Sequence, residues 1–322
     1  MSHVWGESSR FQGILIKLKD GARSGAAKGL SGYIWLLKIL IPISLLTTVL
    51  ETGGWLSRLY EFIAPVMHLI HLPPSAALPI VAGMLTGVYG GIACMVMLPF
   101  SVEQMTLIAI FVLISHNLIQ ESMIQGQSGL SPVKAVLSRV TASVVTAATA
   151  AWFLKPETGI TDPAAETIPN VMGWIPALRN WAESTAVLSV KIFVIIMALM
   201  VVMGILRSFD WIPVLVRILR PMLRIMRLDE RVGILWLTAV VFGLSYGAAV
   251  IVEEAREGGL CPRELERLHI SIGINHSMVE DPILFATLGL PAFWLWIPRV
   301  VTAIAALYVY DGWQKIRSAV GR

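Results

Sequence analysis

Ser115-His116-Asn117 followed by Gln120-Glu121, and Asn275-His276-Ser277 followed by Glu280-Asp281, set imidazole, amide, hydroxyl and carboxylate groups side by side at two places in the chain. Positions four apart on a helix share a face, so His116 stands over Gln120 and His276 over Glu280. Imidazole beside carboxylate can ligate a divalent cation, and it can carry a proton near neutral pH. Two readings fit these groups. Either they line a substrate or ion site, built from His116, Asn117, Gln120, Glu121, Asn275, His276, Ser277, Glu280 and Asp281, with His116, Glu121, His276 and Glu280 as its metal-capable members, or they tie their segments to neighbouring helices.

The two clusters belong to one duplicated pattern. Trp55, Pro65, Leu72, Gly87 and Gly91 correspond to Trp211, Pro221, Leu228, Gly243 and Gly247 at a constant offset of 156 positions. After a four-residue insertion, His116, Glu121 and Arg139 correspond to His276, Asp281 and Arg299 at an offset of 160. A second constellation comes with the repeat: Thr86, Gly87, Tyr89 and Gly91 against Gly243, Ser245, Tyr246 and Gly247. Glycines here either let membrane helices pack closely or mark an unwound stretch that lines a cavity with freed backbone groups and nearby hydroxyls. Arg139 and Arg299 stand near the start of each copy's last apolar segment. A basic side chain there either snorkels to the interface or serves as counter-ion to Glu121 or Asp281.

The elements that carry these residues are membrane helices. With 56% hydrophobic and 14% charged residues, a 322-residue chain lacks the polar surface to cover a soluble globule. Apolar stretches near 33–50, 76–99, 136–154, 187–206, 232–252 and 291–310 each approach the roughly 20 residues that a helix needs to cross a bilayer. Strand-like alternation is absent, which disfavours a barrel. An ionised carboxylate at bilayer depth costs on the order of 2.5–3.5 kcal/mol and normally faces protein or water, so Glu121 and Asp281 need compensation.

Basic residues set the orientation. Arg10, Lys17, Lys19, Arg23 and Lys28 precede the first span, which puts the N-terminus in the cytoplasm, and Lys315, Arg317 and Arg322 put the C-terminus there too. Residues 51–75 carry only Arg58 against two glutamates, whereas the equivalent segment 207–231 holds six arginines, so equivalent loops fall on opposite faces and the repeats are inverted. Lys38 and Lys191 also match, although Lys191 then starts its span from the outer side. Inversion demands an odd number of crossings per copy. Residues 101–131 and 262–289, too interrupted by polar groups to cross cleanly, are read as re-entrant hairpins. The expected fold is therefore an all-α membrane inverted-repeat bundle of about six full crossings, two re-entrant hairpins and an N-terminal amphipathic helix. Its parts are an amphipathic cytoplasmic lead-in 1–32, a first repeat 33–154, an external linker 155–186, a second, inverted repeat 187–310 and a cytoplasmic tail 311–322.

The net charge of +4 sits in loops beside the spans, where it meets anionic lipid headgroups rather than nucleic acid. No cleavable signal peptide is expected at the start. Cys94 and Cys261 have no cysteine at the matching repeat positions, so neither a disulfide nor a thiolate metal site is expected. A His-Glu-x-x-His helix, a P-loop and a Gly-x-Ser-x-Gly elbow are all missing, and the chain is read as no enzyme.

The segment Trp35-Leu-Leu-Lys-Ile-Leu-Ile-Pro42, then Gly87-Val-Tyr89-Gly-Gly, then Ser115-His116-Asn117-Leu-Ile-Gln-Glu121 resembles bacterial Gate-domain proteins, often labelled nucleoside-recognition proteins. The resemblance extends over nearly the whole chain as two tandem units. It implies a helical membrane module of inverted repeats, similar to units of ferrous-iron permeases, concentrative nucleoside transporters and the paired spore-maturation membrane proteins. The first expectation is a secondary-transporter-like permease of the bacterial inner membrane, for a small polar solute or a divalent metal cation bound between the hairpins. No cofactor is certain; a divalent cation or a coupling proton is the expected small partner, alongside membrane lipid. The alternative is a non-transporting structural or assembly component whose Arg-rich 217–231 segment docks a cytoplasmic partner. A homodimer or a partner membrane protein is compatible with either.

Overall fold

The computed structural model describes residues 3–55, 64–127, 129–156, 173–209, 214, 221–228, 230–244, 251 and 260–320, and among these the chain is all-helical. Ser245, Tyr246, Gly247, Trp211, Arg217, Arg220 and residues 157–172 of the expected linker lie outside the described residues.

A single helix α1, His3–Thr52, joins the expected surface lead-in to the first apolar segment. Gly21, Gly25 and Gly29 explain the difference. Spaced by four, they form one small-residue stripe along α1, and it packs on helix α7, Trp174–Ser208. A Cβ on Gly25 would overlap the Met200 carbonyl, and one on Gly204 would overlap the Gly21 carbonyl, so the two backbones touch. The helices are antiparallel: Gly25 meets Met200, the Tyr33 ring lies 5.0 Å from Phe193, and Trp181 Nε1 donates to Ser44 Oγ at 3.0 Å. Residues 174–186, expected as linker, are thus the first turns of α7.

Helices α2, Ala77–Thr86, and α3, Val88–Met95, divide the stretch expected as one full crossing. They fold back on each other, because a Cβ on Gly91 would lie 3.2 Å from the Pro79 carbonyl, twelve positions earlier. Gly87 turns the chain at the tip with φ +91°, a conformation that side chains rarely tolerate. The hairpin is therefore here.

Residues 101–131, expected to enter and return, instead build a broken crossing. Helix α4, Val102–Ser115, and helix α5, Leu118–Gln127, are separated by His116 and Asn117, and Val102–Gln127 together is long and apolar enough to span a membrane. Ser101 and Gln104 form a capping box that starts α4. Leu107, Ile108, Ala109, Ile110, Val112, Leu113 and Ile114 are all fully buried, as befits a helix that is apolar all round. Helix α6, Pro132–Leu154, returns alongside, with Arg139 beside Ile114 and Ser143 beside Phe111.

In the second copy helix α8, Glu230–Phe242, ends at Gly243, whose φ is +83°. Helix α9, Pro262–Asn275, and helix α10, Glu280–Ala286, flank the break at His276 and Ser277, and helix α11, Ala292–Val320, follows. The backbone repeats in detail. His71 and Arg227, Gly87 and Gly243, and Asn117 and Ser277 all have positive φ at the two sequence offsets. Helices α6 and α11, which carry the matching arginines, are antiparallel: Thr146 meets Thr302 at 2.7 Å, and Phe153 stacks 6.2 Å from Trp294.

Against an expected six full crossings, four helices among the described residues are long and apolar enough to cross: Val102–Gln127, Pro132–Leu154, Trp174–Val202 and Ala292–Ala319. Leu40–Leu50 and Pro74–Thr86 are shorter apolar helices. Exposed Val190, Val194, Val301 and Val309 lie on these helices, an outer surface suited to lipid. The chain is an integral membrane protein.

Candidate functional site

Each break exists because a glycine-ended helix meets it. Asn117 N–H donates to the Gly83 carbonyl at 3.2 Å, and Ser277 N–H donates to Ala239 at 3.2 Å, the equivalent pair of the other copy. The hairpin tip at Gly87 lies under Asn117: a Cβ there would sit 3.0 Å from the Asn117 amide atoms. Breaking a buried helix leaves carbonyls without partners, which is costly in a dry interior. Two arginines supply the missing donors. Arg139 Nε donates to Ile114 at 2.9 Å and Nη2 to His116 at 2.6 Å, and Arg299 repeats this with Ile274 at 3.3 Å and His276 at 2.7 Å. Both side chains are fully buried, so neither snorkels.

The breaks bring together groups 160 positions apart. His116 and His276 face each other with Nε2 atoms 3.0 Å apart and ring centroids 4.7 Å apart. The carboxylates cross over: Glu121 Oε2 lies 3.0 Å from His276 Nε2, and Asp281 Oδ2 lies 3.2 Å from His116 Nε2. Glu121 also reaches His116 at 3.6 Å and forms an ion pair with Arg139 at 2.8 Å. Each acid stands in the first turn of its helix, where the positive helix end favours negative charge. His116, Glu121 and His276 offer ligand atoms within 4.8 Å of one another, a grouping that could hold a metal ion.

The other expected site residues divide. Glu280 is apart from the imidazoles and accepts a hydrogen bond from Tyr89 of the first hairpin at 2.9 Å. Asn275 is fully buried, and its side-chain amide has no hydrogen-bond partner among the described residues. Gln120 is exposed and outside the cluster. The Thr86 hydroxyl bonds back to Ala82 in its own helix at 2.7 Å, and Gly91 serves close packing within the hairpin. Arg139 is the counter-ion of Glu121, whereas Arg299 meets carbonyls and its Nη1 has no hydrogen-bond partner among the described residues.

Sequence reasoning missed Gln125, which is fully buried and donates from Nε2 to the His269 carbonyl at 2.8 Å, joining α5 to α9. Its repeat position holds Phe285, so the duplication gave no signal there. Trp296, whose Nε1 donates to Met278 at 2.8 Å just after the second break, escaped for the same reason.

A hairpin, a broken helix and a buried His-carboxylate meeting point now define the first copy. Residues 33–125 match the Gate family, described as nucleoside recognition. The Gate segment holds α2, α3, the first break and Glu121, and it ends before Arg139. Over 306 residues the chain is 28% identical to the uncharacterized membrane protein YvoD of Bacillus subtilis (strain 168), covering 93% of this chain and 97% of that protein. That similarity spans both copies, well beyond the Gate segment. No solved structure matches the chain.

Proposed function

We propose that the chain is a secondary-transporter-like permease of the bacterial inner membrane, which carries a small polar solute or a divalent cation bound where the two broken helices meet. One observation carries this: imidazoles and carboxylates from equivalent places in two copies converge in the buried centre, within 3.0–3.6 Å. Charged groups inside a membrane bundle mark ion and substrate paths by default. In transporters built from inverted repeats, broken helices form the binding place, because their freed backbone and paired helix ends address a ligand.

Inversion of the repeats has support from two helix pairs, since α1 runs antiparallel to its counterpart α7, and α6 to α11. Charge asymmetry between the equivalent loops supports it independently, with both termini cytoplasmic. The Gate match and the membrane-protein relative agree with a transporter-like role.

The test is flux in proteoliposomes, comparing wild type with His116→Ala/His276→Ala. Loss of flux with unchanged insertion supports the proposal, and equal flux removes these residues from the mechanism. The docking alternative keeps one observation in its favour, the exposed Arg224 and Arg227 at the end of the arginine-rich segment. It predicts that charge reversal at Arg220 and Arg224 abolishes function while the double histidine variant stays active.

A further inference from the structure

We infer that the meeting point of the two breaks binds a single first-row divalent cation of the Zn2+ or Fe2+ class, held by His116 Nε2, His276 Nε2 and Glu121, with Asp281 beside His116 as a supporting carboxylate. This rests on reading that point as the permease's binding place, and it names the cargo.

The imidazole tautomers come first. His116 Nδ1 lies 3.2 Å from the Val112 carbonyl, and His276 Nδ1 lies 2.8 Å from Ile272. A carbonyl oxygen only accepts, so each Nδ1 carries the ring hydrogen, and the Nε2 of a neutral ring is then a bare lone pair. Two such lone pairs face each other at 3.0 Å, with carboxylate oxygens at 3.0 and 3.2 Å. A purely structural tie would pair donors with acceptors. With both rings neutral, acceptors here converge on acceptors, and Asp281 Oδ2 has no hydrogen-bond donor among the described residues.

The spacings fit one ion. A cation bound at about 2.1 Å to nitrogen or oxygen holds its ligands about 3.0 Å apart at right angles and about 3.4 Å apart at tetrahedral angles. The contacts within the cluster, from 3.0 to 3.6 Å, cover that range. Protons on the rings would instead be donated to Asp281 at 3.2 Å and to Glu121 at 3.0 Å, and such a site takes up no metal.

The surroundings match a metal site as well. Ligating histidines typically donate their second ring N–H to a carbonyl, which fixes orientation, and both rings do so. Arg139 holds one Glu121 oxygen at 2.8 Å, which leaves the carboxylate's other lone pairs for an ion. Two imidazoles select against Mg2+ and Ca2+, and the lack of thiolate or thioether in the set selects against Cu+.

Tag-free protein in nanodiscs, titrated with Zn2+ and with Co2+ as a visible probe, tests the inference. The expected result is one ion per chain, with X-ray absorption showing two imidazole nitrogens plus oxygens in the first shell, and a melting temperature raised by Zn2+. His116→Ala/His276→Ala should weaken binding by more than about 100-fold. His68→Ala/His71→Ala, at exposed histidines, should leave it unchanged. Absence of a bound ion, a shell without paired imidazoles, or undiminished binding in a folded double variant would overturn it. If the double variant does not fold, the wild-type absorption spectrum decides. Binding without flux sinks the permease and leaves the metal site standing, whereas flux of a metal-free solute without binding does the reverse.

Discussion

At the first break Arg139 closes an ion pair with Glu121 at 2.8 Å besides holding two carbonyls; at the second, Arg299 holds the equivalent two carbonyls without a matching ion pair among the described residues. The acids differ in reach too. Glu121 lies within 3.6 Å of both imidazoles, whereas Asp281 reaches only that of His116 and accepts a hydrogen bond from the Ser277 side chain. Duplication preserved the scaffold because an interrupted buried helix needs the same donors in either copy. Chemistry in the middle had no such obligation to stay symmetric, so the first copy ties its carboxylate to an arginine and the second ties its own to a serine.

The comparison breaks most directly at the arginines. Arg139→Ala orphans two carbonyls and a buried carboxylate, and should cost about 3–5 kcal/mol in detergent unfolding. Arg299→Ala orphans the carbonyls and removes a charge near Asp281 but breaks no close ion pair among the described residues, and should cost about 1–3 kcal/mol. Equal losses would mean that the Glu121 pair contributes nothing, and the asymmetry would be apparent only. Next come the acids, read as Zn2+ affinity: Glu121→Gln should lower it about 100-fold and Asp281→Asn about 10-fold. A reversed order would make Asp281, and not Glu121, the principal carboxylate.

Smaller effects sharpen the picture. Tyr89→Phe removes the 2.9 Å bond to Glu280 that links the first hairpin to the second break, and should cost about 1–2 kcal/mol. Should the loss prove negligible, Glu280 is held by other groups. Lys134 reaches Glu266 across the copies at 2.7 Å, yet its side chain is 61% exposed. Lys134→Ala should therefore change stability by less than about 1 kcal/mol, a control for cross-copy contacts outside the buried centre.

Much of the centre was legible from residues alone. His116 and His276 were marked by their polarity in apolar surroundings and by their constant offset, since a costly residue kept in two diverged copies points to a shared demand. The roles of the interrupted segments were less legible. Polar content in 101–131 pointed to a re-entrant loop, and apolar content in 76–99 to a clean crossing, yet the structure exchanges them. Composition reports how much water a segment tolerates, and it cannot report that Arg139 from another element supplies donors to Glu121 and to the broken backbone of 114–116. The hairpin at 77–95, conversely, is largely apolar; its glycines left close packing and an unwound stretch both open, and the φ of Gly87 shows a turn there.

From its sequence this protein is already a duplicated helical membrane bundle with imidazole and carboxylate at matching places, because hydrophobic composition and repeat offsets are local properties that survive in one dimension. Which arginine pairs with which acid, that the acids cross to the opposite copy's histidine, and that both imidazole Nε2 atoms face one point were decided only by tertiary packing. The reason is distance: these contacts join residues as far as 160 positions apart, and their geometry depends on where two helices happen to be interrupted.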